Sequence, residues 1–114
     1  MSFSTSVEQR SGASVVVMRG DLDIASEAQA MAELEAAMDG CDVMVVDLRE
    51  LDFLDSTGVR VLLASELRAR EHGMRFGVVR GGGMVARLLE VTRIDRRFPE
   101  VDDPDEFIGG ESPA

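Results

Sequence analysis

Apolar and polar residues alternate in short blocks along the chain, and the lengths of these blocks predict both strands and helices. Phe3–Arg10 alternates loosely between the two classes, which predicts an edge strand. Residues 14–20 form a β-branched run ended by glycine, so a second strand is predicted to pair with the first through the Ser11-Gly12 turn. Three more strands are predicted at residues 42–48, 74–80 and 98–101. The last contains Pro99, which donates no backbone hydrogen bond and therefore predicts an edge position or a bulge.

Helices are predicted where apolar residues recur every three or four positions. The first begins at Ser26, which has capping-box spacing with Gln29, and it stops at Gly40. A second helix is predicted from residue 56 or 57 to residue 72, with short helices at 84–91 and 103–108. The positions predicted to face inward are Met31, Leu34, Met38, Val59, Leu62, Leu63 and Leu67. Those predicted to face outward on the second helix are Arg60, Glu66, Arg68 and Arg70.

The order of these elements predicts an α/β fold. An initial hairpin followed by strand-helix alternation indicates a mostly parallel or mixed sheet of about five strands, with about four helices around it. Within the strand predicted at 42–48, residues 43–46 are apolar without interruption, which is typical of a strand covered on both faces. We expect one domain over residues 1–110 and a frayed tail at 111–114.

Charge narrows the classes of partner. The chain has 22 acidic residues against 12 basic ones, all arginine, for a net charge of -10. Binding to nucleic acid or to an anionic membrane is driven by basic surface, so neither is expected. A protein partner or a small ligand fits the composition better, and we expect a monomer in the free state.

The cysteine and the apolar runs bear on location and on cofactors. Cys41 is the single cysteine, which excludes an intrachain disulfide and suits a reducing cytoplasm. The apolar runs are far shorter than a membrane span, and no basic region followed by an apolar run marks a secretion signal. Histidine and cysteine do not cluster at ligand spacing, so neither a metal nor a cofactor is expected. These features predict a cytoplasmic protein.

Asp55-Ser56-Thr57-Gly58 lies between two apolar stretches, at the predicted start of the second helix. Asp and Ser are good helix N-caps, so a structural role explains part of this stretch. A single cap does not require Asp, Ser and Thr together. A helix N-terminus also presents free N–H groups and partial positive charge, which makes Ser56 a credible acceptor of a phosphate.

Asp21 and Asp23 form a second candidate site. The sequence GDLD places both just past the second predicted strand and before another helix. Ligands and partners of open α/β sheets bind at this carboxyl edge, where the second helix is also predicted to begin. A solvated turn explains the two aspartates equally well.

These motifs resemble those of the STAS-domain anti-sigma factor antagonists of bacteria. The resemblance rests on GDLDIAS, on VVDLRELDFLDSTGVRVLL and on the C-terminal MVARLLEVTRIDRRFPEVDDPDEFI. It implies that Ser56 is phosphorylated by an anti-sigma factor that is a serine kinase, that phosphorylation ends binding and that a serine phosphatase restores it. It implies a partner-binding surface of Asp21, Asp23, Asp55, Ser56, Thr57 and Gly58. Thr57 departs from a serine common at that position, which leaves a minor phosphothreonine open.

Three other readings remain. An enzyme is disfavoured because the only histidine, His72, lies about 24 Å from Ser56 along the helix, too far for a catalytic base. RGGGMVARLL offers a glycine-rich turn before a helix, but it lacks the motifs of nucleotide-binding proteins. STAS domains also serve as subunits of lipid-transport complexes or as stress-signalling scaffolds, and the Asp55-Ser56 pair favours the phosphorylation switch over these.

Overall fold

The longest strand of the sheet, residues 13–22, pairs with three other strands. A computed structural model describes residues 2–109. The strands are β1 (Phe3–Arg10), β2 (Ala13–Leu22), β3 (Val43–Asp47), β4 (Leu51–Leu54), β5 (Arg75–Val79) and β6 (Glu100–Val101). The helices are α1 (Glu27–Ala37), α2 (Ser56–Glu71), α3 (Gly83–Val91) and α4 (Pro104–Gly109), with a 3₁₀ helix at Ile94–Arg96.

The strand order confirms the predicted α/β fold. The sheet runs β1-β2-β3-β5-β6; β1 is antiparallel to β2, and the remaining pairs are parallel. The strand β6 is an edge strand, as predicted, but it begins after Pro99 and does not contain it. The sheet has one strand more than the sequence predicted, because β4 pairs with the last residues of β2, beyond the part that pairs with β3.

Two apolar layers cover the sheet, one on each face. The helices α1, α2 and α3 pack on one face, around core residues such as Leu34, Leu62 and Leu89. The other face carries Val15, Val45 and Val79 under Phe107 of α4. The strand β3 is therefore buried on both sides, as its apolar run predicted.

The structure corrects two predictions on the helices. Ser26 and Gln29 form no capping box: α1 begins at Glu27 without a side-chain cap. On α2, Leu67 is 44% exposed, whereas Glu66 is buried and paired with Arg70. The buried face of a helix includes more than one position per turn, so residue 66 lies within the buried face of α2. The i, i+4 ion pair with Arg70 compensates the charge of the buried Glu66 carboxylate. The predicted tail at 111–114 lies outside the described residues.

Candidate functional site

Two loops meet at the carboxyl end of the sheet because β2 and β4 end side by side. Leu22 and Leu54, the last residues of these strands, are partners in the parallel pairing. Asp23 and Asp55 therefore each follow directly on paired residues. The sequence placed both loops at this edge of the sheet, but it did not predict β4, whose four residues are specified by their pairing with the end of β2.

Gly58 allows the start of α2 to lie directly against the end of β2. A Cβ atom at this position would lie 2.3 Å from Leu54 Cδ1 and 2.7 Å from the carbonyl oxygen of Leu22. Both distances are far below van der Waals contact, so only glycine fits. The close approach fixes the first turn of α2 beside the loop that follows β2.

Asp55 is the N-cap of α2. Its backbone is extended, its Oδ1 accepts a hydrogen bond from Gly58 N at 3.1 Å, and its carbonyl oxygen accepts from Val59 N at 3.0 Å. One of the helix's free N–H groups is thus satisfied by the aspartate. Asp55 is therefore the residue that caps the helix, and the Ser56 hydroxyl is not needed for capping.

Ser56 and Thr57 differ sharply in access to solvent. Ser56 is the first residue of α2 and is exposed, and within residues 2–109 its hydroxyl has no hydrogen-bond partner. Thr57 is only 8% exposed. An enzyme in solution therefore has access to one hydroxyl of the pair, at a helix N-terminus whose partial positive charge favours an added phosphate.

The loop after β2 is held together by its own hydrogen bonds. Ser26 is buried, and its hydroxyl donates to the Asp21 carbonyl oxygen at 2.8 Å and accepts from Asp23 N at 3.0 Å. Asp23 Oδ1 accepts from Ala25 N at 3.0 Å. The loop presents Ile24 outward with 75% of its surface exposed. Sequence reasoning missed Ile24, although a large apolar residue between two turn residues was the available signal.

The structure revises the placement of Asp21. This residue lies within β2, opposite Phe53 of β4, and not beyond the strand as predicted. The strand runs on because β4 provides it with a partner. Asp21 and Asp23 are both partly exposed and line a shallow cavity of about 380 Å³, together with Ser2, Phe3, Ala25, Ser26 and Gln29. Residues 55–58 lie outside that cavity, so the candidate site is a surface with two neighbouring parts.

The buried carboxylate at the end of β3 is separate from this acidic surface. Asp47 accepts hydrogen bonds from Arg49 on both oxygens, including 2.8 Å from Oδ2 to Nη2. These hydrogen bonds hold the pKa of the Arg49 guanidinium above its ordinary value. Because its charge is balanced locally, Asp47 adds no net charge to the surface of Asp21, Asp23 and Asp55.

Residues 2–109 contain no group of three or more His, Cys, Asp or Glu side chains arranged to hold a metal ion. Among the helices described, none has the length and apolar character that a membrane crossing requires. His72 caps the far end of α2, exposed and at the opposite end of the helix from Ser56.

Comparisons with known proteins agree with this architecture. The family model described as "Mlab, STAS domain" matches residues 5–101. The anti-sigma-F factor antagonist RsfB of Mycobacterium tuberculosis is 28% identical over 100 residues, covering 85% of this chain and 80% of the relative. A crystal structure of an anti-sigma factor antagonist from Mycobacterium paratuberculosis superposes with a TM-score of 0.86 at 29% identity, covering 95% of this chain and 92% of that one.

A third protein shares the fold at lower identity. The structure of the Bacillus cell fate determinant SpoIIAA in the phosphorylated form matches with a TM-score of 0.69 at 16% identity, covering 93% of this chain and 97% of that one. The match of the family model extends over most of the chain and includes both loops of the site. The chain therefore belongs to the STAS domain family.

Proposed function

We propose that this protein is an anti-sigma factor antagonist whose binding is switched by phosphorylation of Ser56. In its unphosphorylated form it binds an anti-sigma factor that is a serine kinase, and so regulates transcription that depends on a sigma factor. Phosphorylation releases the partner, and a serine phosphatase restores binding. The protein acts in the cytoplasm and is a monomer when free.

The observation that carries this proposal is the exposed, unbonded hydroxyl of Ser56. A kinase needs an accessible hydroxyl in a backbone that tolerates a phosphate. Since Asp55 caps the helix, a phosphate on Ser56 removes no hydrogen bond of the fold. The names of the mycobacterial relatives support the antagonist role. SpoIIAA, which has the same fold and is described in a phosphorylated form, supports the modification.

Electrostatics explain how one phosphate ends binding without a change of fold. A phosphoserine adds about −1.5 to −2 charges at neutral pH. A partner carboxylate about 6 Å away would be repelled by roughly 1–3 kcal/mol at an effective dielectric constant of about 40–80. That corresponds to a loss of affinity of up to about a hundredfold. Steric exclusion at the tight start of α2 would add to it.

The rest of the surface has distinct proposed roles. Asp55 orients or electrostatically frames Ser56, and Asp21 and Asp23 complete the surface that the anti-sigma factor contacts. Thr57 and Gly58 shape the first turn of α2, and the burial of Thr57 favours Ser56 as the sole phosphoacceptor. The protein contributes no catalysis in this scheme, because the kinase and the phosphatase supply the chemistry.

The test is binding to candidate anti-sigma kinases from the same genome, measured by calorimetry on wild type, Ser56→Ala, Ser56→Asp and Thr57→Val. Wild type, Ser56→Ala and Thr57→Val should bind one kinase, and Ser56→Asp should bind at least about tenfold more weakly. With ATP, mass spectrometry should find one phosphate on wild type and on Thr57→Val, and none on Ser56→Ala. Treatment with a serine phosphatase should restore binding of the phosphorylated wild type.

Two results contradict the proposal. If Thr57→Val loses the phosphate and Ser56→Ala keeps it, the switch lies at Thr57. If no kinase binds and ATP leaves every variant unmodified, Ser56 has no such role. The lipid-transport or scaffold reading of the STAS domain would then be favoured.

A further inference from the structure

One segment of this acidic protein is basic. Residues 80–97 contain five arginines and two acidic residues, whereas the other 96 residues contain seven arginines and twenty acidic residues. This segment forms α3 and the 3₁₀ helix that follows it. The segment thus has a net positive charge in a molecule that is otherwise acidic.

Four of these arginines are not used by the fold. Arg87, Arg93, Arg96 and Arg97 are exposed, and in the part of the chain that the structure describes their side chains make no ion pair and no hydrogen bond. Most arginines elsewhere are paired, as Arg19 is with Glu50 and Arg68 with Glu35. An exposed arginine without a partner presents a planar group of donors that matches a carboxylate.

Two large apolar side chains lie on the outer side of the same helix. Met84 is 53% exposed and Val91, about two helical turns further along α3, is 70% exposed, with Arg87 between them. Val85 and Leu89 point the opposite way, into the core. A spacing of i, i+3 and i+7 places Met84, Arg87 and Val91 along one face of a helix. We call Met84, Arg87, Val91, Arg93, Arg96 and Arg97 the basic surface.

Arg93 is held in a conformation that disfavours its side chain. It follows the C-cap of α3 with φ of 58°, in the left-handed region where helices most often end on glycine. Glycine would relax the backbone there, and arginine provides a charge instead. A cavity of about 820 Å³ beside it is lined by Arg80, Ala86, Glu90, Arg93 and Glu100.

We propose that the basic surface binds an acidic, amphipathic helical segment of a protein partner. The arginines would pair with its carboxylates, and Met84 and Val91 would contact its apolar side chains. A long polyanion or an anionic membrane fits less well, because beyond the basic surface it would face the excess of acidic residues on the rest of the molecule. This inference is independent of Ser56 and of the proposed switch.

The test is a titration of ¹⁵N-labelled full-length protein with a synthetic helical peptide of about 16 residues, carrying leucine at i, i+3, i+4 and i+7 spacing and glutamate elsewhere. Shift changes should concentrate at residues 84–97 and weaken as salt is added. A peptide with lysine in place of glutamate should not affect these residues. Absence of shifts, or shifts centred elsewhere, would overturn the inference.

Variants separate binding from structure. Arg93→Gly should raise the midpoint of thermal unfolding while weakening peptide binding. The double variant Arg93→Gly/Arg96→Gln should bind the peptide about fivefold more weakly than wild type. The matched control is Arg60→Gln, since Arg60 is likewise exposed and unpaired within residues 2–109 but lies on α2. Val91→Ser should weaken binding, whereas Leu67→Ser, at a 44% exposed site on α2, should not.

Three further outcomes would also overturn it. An equal effect of Arg60→Gln would mean that binding follows net charge and not this surface. Tighter binding to phosphatidylglycerol vesicles than to the peptide would assign the surface to a membrane. Shifts at residues 84–97 that grow with protein concentration in the absence of peptide would assign it to a second copy of this chain.

Discussion

The two loops at the carboxyl end of the sheet each place a serine near the start of a helix, and the fold uses the two serines in opposite ways. Ser26 is buried, with its hydroxyl bonded to the backbone at Asp21 and Asp23. Ser56 is exposed, and no described residue accepts from or donates to its hydroxyl. The first serine maintains the shape of its loop, and the second leaves the shape of its loop to Asp55.

The difference shows that one serine hydroxyl stabilises the fold while the other is available for modification. A buried hydroxyl must be satisfied, because an unpaired polar group in the interior is costly. A hydroxyl that the fold does not need is free to be modified without loss of stability. The aspartate before Ser56 makes this possible, since it caps α2 in the serine's place.

Gly58→Ala is the substitution with the largest expected effect on this arrangement. The added Cβ would overlap Leu54 Cδ1 and the carbonyl oxygen of Leu22, and a backbone atom cannot move aside cheaply. We expect the free energy of unfolding to fall by about 3 kcal/mol, the upper end of the usual cost of overpacking, because part of the overlap is with backbone. Urea denaturation followed by circular dichroism measures this change.

The matched control for that substitution is Gly82→Ala. Gly82 also lies at the start of a helix, but its φ is −111° and a Cβ there would meet nothing within 4 Å. Its effect should stay within about 0.5 kcal/mol. Equal effects of the two variants would show that the loops are not held together by the close approach at Gly58.

Long periodic blocks are what the sequence predicted well. β1 and the start of α2 at Ser56 lie where the pattern put them, because hydrophobic periodicity and capping residues act locally. β4 was missed because its four residues, LDFL, are specified by pairing with the end of β2 and not by their own pattern. Asp21 was misplaced for the same reason, since it extends β2 only where β4 pairs with it.

The candidate site was predictable as a set of residues but not as an arrangement. Asp55, Ser56 and Gly58 were identified from their types and order at a predicted helix start. Ser56 was predicted as the phosphate acceptor and Ser26 as a helix cap, but how deeply each hydroxyl is buried could not be predicted from their similar local chemistry. Their burial depends on contacts between the loops, which only the tertiary structure contains.

Ser26→Ala and Ser56→Ala test the opposite uses of the two serines. Ser26→Ala leaves the Asp21 carbonyl oxygen and Asp23 N–H without the hydroxyl, so we expect a loss of about 1–3 kcal/mol in the free energy of unfolding. Ser56→Ala should change it by no more than about 0.5 kcal/mol. Thermal and urea unfolding of the two variants measure the contrast directly.

A large loss in Ser56→Ala would break the comparison, since it would mean that the fold uses this hydroxyl. A negligible loss in Ser26→Ala would show that the loop after β2 is held by Asp23 alone, whose Oδ1 accepts from Ala25 N. Ser26→Thr is a useful second variant, because it keeps a hydroxyl while enlarging a buried side chain.

Asp55→Ala and Asp55→Asn test the role of the helix cap and are expected to have the smallest effect on the free energy of unfolding. Asp55→Ala removes the acceptor for Gly58 N, so we expect a loss of about 1 kcal/mol, the usual value of an N-cap. Asp55→Asn keeps a side-chain oxygen at that position and should cost less than half as much. Urea denaturation at neutral pH distinguishes the two. If the asparagine variant is as unstable as the alanine variant, the negative charge of Asp55 stabilises the helix start and the hydrogen bond alone does not. A phosphate on Ser56 would then add charge where the helix already depends on it, and phosphorylation should change the stability of the fold as well as its binding.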